Sequence, residues 1–385
     1  MGANGRDRGV LVLNAGSSSI KLAVFHANAA PSLTASATEI GGDGTLSVGA
    51  ERSPRHFATH REALEALLAA LRARGQDLAS FEVAAHRVVH GGQTLTETCV
   101  VTAEIRDRIA ALSPLAPLHN PHAVALMDLL TLFAPELAQV AVFDTAFHAS
   151  IPAAARRYAL PEIDAVAEMT RYGFHGISYQ GLVEALPRLS GAALPSRLLA
   201  CHLGNGASLC AIRDGRSVAT TMGYSPLSGL TMGTRTGDID GNAVLDLAER
   251  VGIARARHIL NQQSGLIGLG GASDMRALRA SAASGDRRAA FALEHFAHWA
   301  VRHAGSMVAA MGGLDAVAFT GGIGEHDAEM RAAIMDGLAF TGLRHDAGVA
   351  GPALHAPSSP VTAWVVPAGE EASIARAARV VMEAA

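Results

Sequence analysis

Three glycine-rich turns and a set of singly placed arginines and histidines are the residues of this sequence best suited to chemistry. The turns are Asn14-Ala15-Gly16-Ser17-Ser18-Ser19, Gly204-Asn205-Gly206-Ala207-Ser208 and Gly321-Gly322-Ile323-Gly324, and each follows a short apolar run. Glycine lets backbone N–H groups approach an anion closely, and serine or asparagine adds side-chain donors. A single such turn more often just joins two strands; three in one chain point to phosphate. None has the P-loop pattern ending in Gly-Lys-Ser/Thr, and none is a Gly-x-Gly-x-x-Gly turn opening a helix in a dinucleotide unit.

Polar residues also collect where apolar runs end. They are Arg87 in His86-Arg-Val-Val-His-Gly-Gly92, His119 in Pro117-Leu-His-Asn-Pro121, Asp144 in Phe143-Asp-Thr-Ala-Phe-His148, His175 in Arg171-Tyr-Gly-Phe-His-Gly176, and Arg235 in Met232-Gly-Thr-Arg-Thr-Gly-Asp238. Taken singly, each is more often a satisfied structural residue. Two guanidinium groups flanked by glycine turns suit a carboxylate or a phosphoryl group, because the planar fork bonds two oxygens at once.

The elements that must hold these residues follow from periodicity. Val10–Leu13 and Ile20–Phe25 read as strand, tight turn, strand; Leu198–His202 and Ser208–Ile212 repeat that pattern. An ungapped match sets Gly16 on Gly204, Ser17 on Asn205, Ala23 on Ala211 and Val24 on Ile212, which suggests a structural duplication. Leu64, Leu67, Leu68 and Leu71 mark an amphipathic helix over 57–74, closed by Gly75. Strands are expected at Phe81–Val89, Val140–Phe143, Asp315–Phe319 and Val361–Val366, and helices at 122–133, 241–263, 286–311 and 370–384. Strands alternating with helices give an α/β architecture. The expectation is two similar α/β lobes with an active-site cleft between them, an N-terminal lobe over 1–150 and a C-terminal lobe over 151–370.

Totals bound the partners. The chain has 385 residues, enough for two domains, and 49% are apolar, so a sizeable core is available. A formal net charge of −4 argues against a general nucleic-acid binder. Three cysteines, Cys99, Cys201 and Cys210, without Cys-x-x-Cys spacing argue against a disulfide framework or a zinc site and suit a reduced, cytoplasmic setting. No uninterrupted apolar stretch is long enough for a membrane span. The polar start, Met1 to Gly9, reads as a frayed terminus and not a secretory signal. His295, His298 and His303 could suggest a metal by number, but on a helix they diverge by about 100° per residue.

Several segments together resemble the acetate/propionate/butyrate kinase family of the sugar kinase, Hsp70 and actin superfamily. They are Asn14-Ala-Gly-Ser-Ser-Ser-Ile-Lys21, Arg171-Tyr-Gly-Phe-His-Gly-Ile-Ser178, His202-Leu-Gly-Asn-Gly-Ala-Ser208, Met232-Gly-Thr-Arg-Thr-Gly-Asp-Ile-Asp240 and Phe319-Thr-Gly-Gly-Ile-Gly-Glu325, and the resemblance runs from about residue 10 to 380. It implies two duplicated ribonuclease H-like lobes of the actin and Hsp70 type, with helix 371–385 completing the first. It implies ATP and a short-chain carboxylate as substrates, Mg2+ (with Mn2+ able to replace it) as cofactor, a homodimer, and reversible transfer of the γ-phosphate by direct in-line displacement.

Residue by residue, the resemblance casts Asn14 and Glu370 as holding Mg2+, and Ser17, Ser19 and Lys21 as the first phosphate loop. Asn205 and Gly206, with His202 beside them, would meet the ATP phosphates. Asp274, Met275 and Arg276 resemble the adenosine-contacting segment, and Gly321, Gly322, Ile323 and Gly324 would pack beside the nucleotide. Arg87 and Arg235 would bind the carboxylate and the moving phosphoryl group, and His175 would donate to that group in the transition state. Asp144 would orient its neighbours or link to the metal, and His119 would support the site. Val89, Leu118, Phe174 and Pro226 match the alkyl pocket.

The chemistry is coherent. A carboxylate is already ionised near neutral pH and needs no strong base; it needs relief from repulsion by a polyanionic nucleotide. The sequence departs from the family pattern at Tyr179, where many relatives carry histidine, at His326, and at Ala368-Gly369. Acetate leads as acceptor, with propionate or butyrate as the alternative. A non-catalytic actin-like nucleotide module would need neither the paired arginines nor the His175 segment. A structural or partner-binding protein would not need the set of glycine turns. Pyrophosphate is the alternative donor, and the Asp274/Arg276 match favours ATP.

Overall fold

A computed structural model of the chain describes residues 8–26, 30–346, 348 and 351–384. The expectation of a frayed start lies outside the described residues for 1–7. Two compact units emerge, one up to Ala146 together with the residues from Gly369 onward, the other Phe147–Ala368.

The elements of the first unit are β1 (Gly9–Gly16), β2 (Ser19–Phe25), β3 (Leu33–Thr38), β4 (Gly42–Val48), β5 (Glu51–Phe57), α1 (His60–Arg72), β6 (Phe81–Val88), β7 (Cys99–Val100), α2 (Ala103–Ala111), α3 (Asn120–Phe133) and β8 (Ala138–Phe143), with a helix from the chain's end. The second unit contains α4 (Ala153–Arg156), α5 (Gly176–Ser190), β9 (Arg197–Leu203), β10 (Ala207–Arg213), β11 (Arg216–Thr220), α6 (Gly241–Val251), α7 (Ile253–Gln262), α8 (Gly265–Gly270), α9 (Met275–Ala283), α10 (Arg287–Met311), β12 (Ala316–Thr320), α11 (Gly321–His326), α12 (Ala328–Gly337) and β13 (Thr362–Val365). The last helix, α13 (Glu370–Ala384), packs on β1, β6 and β8 of the first unit.

The two sheets share a plan. In the first, the order is β5-β4-β3-β2-β1-β6-β8-β7; in the second it is β11-β10-β9-β12-β13. Each has a central strand paired antiparallel to the next in sequence and parallel to a later one: β1 with β2 and β6, β9 with β10 and β12. The core β3-β2-β1-β6-β8 therefore repeats as β11-β10-β9-β12-β13, the ribonuclease H-like plan. The first sheet adds β4–β5 at one edge and the short β7 at the other.

The ungapped match between the hairpins fails at their turns. Gly16 pairs with Ser19 across two residues, whereas Leu203 pairs with Ala207 across three. The second turn is one residue longer, so one offset cannot hold on both sides of it. Two other expectations also change. Helix 241–263 is two helices, broken at Gly252 with φ of 82°, a backbone state that a side chain would strain. Gly321–Gly324, expected as a glycine turn after a strand, is the start of α11, behind Thr320.

Both sheets are covered by helices. Alternating β1–β2 residues Leu11, Leu13, Ile20, Leu22 and Val24 are buried with Leu64, Leu67 and Leu71 of α1 and Leu126 and Leu130 of α3. In the second unit Tyr179, Leu182 and Leu186 of α5 pack on Leu198, Ala200, Cys210 and Ile212. The long helix α10 runs against β9, β10 and β11. Among the described residues no helix is long and apolar enough to cross a membrane.

Candidate active site

In the first unit several of the predicted site side chains sit where the parallel strands end. Leu13 pairs with His86 and Val88 with Phe143, so Asn14, Arg87 and Asp144 come to the carboxyl ends of β1, β6 and β8. Open α/β sheets bind ligands at such ends. Arg87 Nε and Nη2 both donate to Asp144 Oδ2, at 3.1 and 2.5 Å, and Glu370 Oε2 at the start of α13 lies 4.0 Å from Arg87 Nε. Burial works against the charge of Arg87, but Asp144 and Glu370 outweigh it and raise its pKa. Burial pushes the Glu370 carboxyl up to about 7; Arg87 pulls it down, Asp144 and Glu371 push it further up, and Lys21 pulls it down. The other Asp144 oxygen, Oδ1, is buried and makes no hydrogen bond.

The first glycine turn is local in construction. Asn14 and Lys21 face each other across β1 and β2, Ser17 and Ser18 form the exposed turn, and Ser19 opens β2. His60, unremarked in the sequence, hydrogen-bonds Gly16 O at 2.8 Å and stacks on His122 with centroids 4.6 Å apart. His119 is the residue before α3. Its neighbour Asn120 is fully buried, accepts from His90 N at 3.2 Å and donates to His90 O at 3.0 Å, tying the helix start to the segment after β6. Of the alkyl-pocket residues, this unit carries Val89, which is buried, and Leu118, which is half exposed.

The second unit builds its site around the longer hairpin turn. Gly233 N donates to Asn205 O at 2.9 Å, and a Cβ on Gly233 would lie 1.9 Å from Asn205 Oδ1, so a side chain there would displace Asn205 from the place it holds against the 221–240 loop. That loop presents Arg235, whose Nη1 donates to Pro226 O at 2.8 Å. No carboxylate forms an ion pair with Arg235 among the described residues, and burial lowers its pKa. A Cβ placed on Gly206 would sit 3.4 Å from His175 Nε2 and 3.6 Å from Arg235 Nη1. The turn, the histidine and the guanidinium thus converge on one small space.

His175 precedes α5 with φ of 60° and ψ of 21°, a left-handed conformation uncommon for a residue with a side chain. Its Nδ1 lies 2.9 Å from Ser208 Oγ, and its ring stacks on His202 with centroids 4.0 Å apart. His202 Nδ1 is in turn 2.8 Å from Ser178 Oγ. His148 Nε2 donates to Phe174 O at 2.9 Å while its Nδ1 lies 2.8 Å from Ser217 Oγ. His148 therefore braces the backbone beside Phe174, which is buried; Pro226 is half-buried.

A cavity of 640 Å³ opens beside the turn, lined among others by Gly204, Asn205, Asp274, Met275, Arg276, Gly322, Ile323 and His326. This volume lies in the range of small-molecule pockets. Asp274 caps α9, accepting from Arg276 N at 2.9 Å and Ala277 N at 3.1 Å, and pairs with the Arg276 guanidinium. Those bonds, led by Arg276, pull its pKa down to about 2. The wall also carries Arg279, bound to Asp327 and Glu329, which the sequence did not single out. A larger cavity, 770 Å³, lies in the first unit near Arg72, Phe81 and Phe133, and none of the predicted site residues lines it.

Each predicted residue thus has a place. Ser17, Ser19, Lys21, Asn14, Arg87, Val89, Leu118, His119, Asp144 and Glu370 belong to the first unit. His175, His202, Asn205, Gly206, Arg235, Asp274–Arg276, Gly321–Gly324, Phe174 and Pro226 belong to the second. Sequence reasoning missed the side chains that hold these in position: Ser208 and Tyr179 behind His175, His148 behind Phe174, and Asn120 behind His90. Three of them, Ser208, His148 and Asn120, stood inside quoted motifs without a role. Among the described residues no group of three or more His, Cys, Asp or Glu could hold a metal by itself; His295 instead meets Thr231 and Trp299.

Comparison with known proteins is consistent along the whole chain. The model of the Acetokinase family matches residues 9–376. The acetate kinase of Desulforamulus reducens is 39% identical over 95% of this chain and 98% of its own. That of Rhodopseudomonas palustris is 40% identical over 95% of this chain and 96% of its own. Among solved structures, Porphyromonas gingivalis acetate kinase superposes with a TM-score of 0.90 at 31% identity, covering 97% of this chain and 99% of that one. A Francisella tularensis propionate kinase superposes with the same TM-score of 0.90 at 34% identity, covering 96% and 98%.

Proposed function

The chain belongs to the Acetokinase family, and from that premise we propose that it is an acetate kinase, moving the γ-phosphoryl group of ATP reversibly to acetate to give acetyl phosphate and ADP. The observation that carries this reading is the convergence of His175 Nε2 and Arg235 Nη1 on Gly206, with no carboxylate paired to that arginine among the described residues. A phosphoryl group in flight needs donors aimed at its equatorial oxygens and little else from the protein.

In this reading Arg235 and His175 bond the transferring group, and Arg87, held by Asp144, binds the carboxylate. Asn205, Gly206 and the first turn with Ser17, Ser19 and Lys21 receive the phosphates. Asp274, Met275, Arg276 and Gly321–Gly324 receive the nucleoside. His119 and His202 support their neighbours, and Val89, Leu118, Phe174 and Pro226 enclose the methyl group. The acetate oxygen attacks directly and in line, and no phosphorylated residue forms. Inversion at a chiral γ-phosphorus is the expected outcome; retention would reject it.

The donor set of the first unit fits Mg2+, or Mn2+ in its place. Asp144 Oδ1 is buried without a hydrogen bond, and the Glu370 carboxyl is pushed up to about 7 beside it, so a cation would complete one group and relieve the other. Asn14 and Glu370 would hold it, directly or through water, as suits an ion that keeps several waters and few protein ligands. When bound it would neutralise charge on the phosphates.

The propionate-kinase likeness at equal TM-score keeps one alternative open, because one methylene in an apolar pocket is worth only about 1–3 kcal/mol. Hydroxamate trapping with acetate, propionate and butyrate decides it: the highest kcat/KM should fall on acetate, and a higher value on either longer acid would reassign the enzyme within the family. We further read the protein as a homodimer. None of the residues of α6 is buried, and it presents Leu245 and Val251 to solvent next to exposed Ile253 of α7, a face that needs a cover. A sedimentation mass of one chain would reject the dimer.

A further inference from the structure

Behind His175 lies a line of three polar groups that the reaction as described does not use. Tyr179, one helical turn along α5, is fully buried, and its hydroxyl lies 2.5 Å from Ser208 Oγ. Ser208 is fully buried on β10, and its Oγ lies 2.9 Å from His175 Nδ1. A lone phenol in an apolar layer of Leu198, Ala200, Cys210 and Ile212 would be costly, so its hydrogen bonding accounts for a polar group there.

We propose that Tyr179 and Ser208 are positioning residues that fix the tautomer of His175, keeping its proton on Nε2, the nitrogen that faces Gly206 and Arg235. The direction of the chain follows from the donors. A phenol is more acidic than an aliphatic hydroxyl and is the better donor, and the Tyr179 oxygen already accepts from the backbone of His202. Tyr179 O–H therefore donates to Ser208 Oγ, Ser208 O–H donates to His175 Nδ1, and Nδ1 is an acceptor. A neutral imidazole whose Nδ1 accepts carries its hydrogen on Nε2. The same chain fixes the ring plane, which the stack on His202 and the left-handed backbone at His175 also restrict.

This deepens the role given to His175 above and rests on it. With Nε2 protonated, a neutral His175 can donate to a phosphoryl oxygen without first gaining a proton. With the hydrogen on Nδ1, the ring would aim a lone pair at an anion.

The test uses the whole enzyme labelled with 15N-histidine. Long-range 1H–15N correlation distinguishes the two tautomers, and His175→Gln identifies the signal by its loss. The wild-type protein, above neutral pH, should show His175 protonated at Nε2. Tyr179→Phe and Ser208→Ala should shift the ring toward the Nδ1-protonated form and lower kcat about tenfold or more, with KM for ATP and acetate nearly unchanged. An Nδ1-protonated or doubly protonated ring in the wild type overturns the proposal without Tyr179→Phe or Ser208→Ala having to fold. So does a Tyr179→Phe enzyme with a lowered kcat and an unchanged tautomer, which would assign Tyr179 to packing alone. If His175→Gln retains full turnover, the catalytic role of His175 falls, and the tautomer measurement still decides the positioning claim separately.

Discussion

Arg87 and Arg235 carry the same guanidinium into opposite electrostatic settings. Arg87 ends a buried strand and is bound at two nitrogens by one buried carboxylate oxygen, with a second carboxylate 4.0 Å away. Arg235 sits on a glycine-rich loop, donates to the Pro226 carbonyl, and is desolvated with no acidic partner among the described residues. The first arginine is compensated by the protein and has its orientation set. The second keeps a net charge that an incoming anion can satisfy. Two residues of one type, found at similar motif boundaries, thus divide into one that is held and one that waits.

Truncating both side chains should bring the strongest changes. Arg235→Met and Arg87→Met should each lower turnover by about a hundred- to a thousandfold, since losing one transition-state donor costs about 3–4 kcal/mol in comparable sites. Their stabilities should part. Arg87→Met leaves Asp144 buried and unpaired, and breaking such a pair costs about 3–5 kcal/mol. Arg235→Met removes a desolvated charge that no carboxylate balances, and the relief should offset the lost bond to Pro226 to within about 1 kcal/mol. Urea unfolding of the two variants reads the difference. Equal destabilisation would erase the distinction, and near-normal turnover in both would remove the arginines from the reaction.

The glycine between Arg235 and His175 can be probed in the same way. Gly206→Ala would add a methyl at ordinary contact distance, 3.4 Å from His175 Nε2 and 3.6 Å from Arg235 Nη1, at a position without positive φ. The fold should tolerate it. The space where those two groups converge would be filled, and kcat should fall by about tenfold to a hundredfold, as displacement of a reacting group by about 1 Å does. Wild-type kcat in Gly206→Ala would show that the phosphoryl group lies elsewhere.

What was legible in the sequence separates along the same line. The strands β1, β2, β6, β9, β10 and β12 are apolar runs with glycine or polar residues at or soon after their ends, so their types and those residues could be read directly. β3 to β5 could not, because an edge strand such as Glu51–Phe57, with Pro54 in it and six exposed residues, has no apolar face to announce it. The duplication was visible as two similar hairpins, but the extra turn residue lies in loop geometry and not in composition. At the site, residue types indicated a charge to be bound. What holds each side chain did not appear, because Arg87 depends on Asp144 across 57 positions and His175 on Ser208 across 33. Such pairs are set by strand order, which no local pattern encodes.

The strand that carries Arg87 offers a test of whether its neighbourhood tolerates charge only when paired. His86, one residue earlier on β6, is buried and lies 2.8 Å from Gln139 Oε1, while Gln139 Nε2 donates to Thr131 at 2.8 Å. Burial lowers the His86 pKa from 6.5 to about 4, against a raising contribution from Gln139. The unfolded chain takes up this proton first, so between these two values it binds more protons than the folded chain. Stability is then intact above pH 6.5 and declines as pH falls toward 4. From neutral pH to pH about 5 the loss from this one group is about 2 kcal/mol. His86→Gln cannot charge and should flatten that part of the stability–pH curve relative to the wild type, measured by urea unfolding. Parallel curves would show that β6 accepts an unpaired cation at His86, and the contrast drawn for Arg87 would lose its basis in burial.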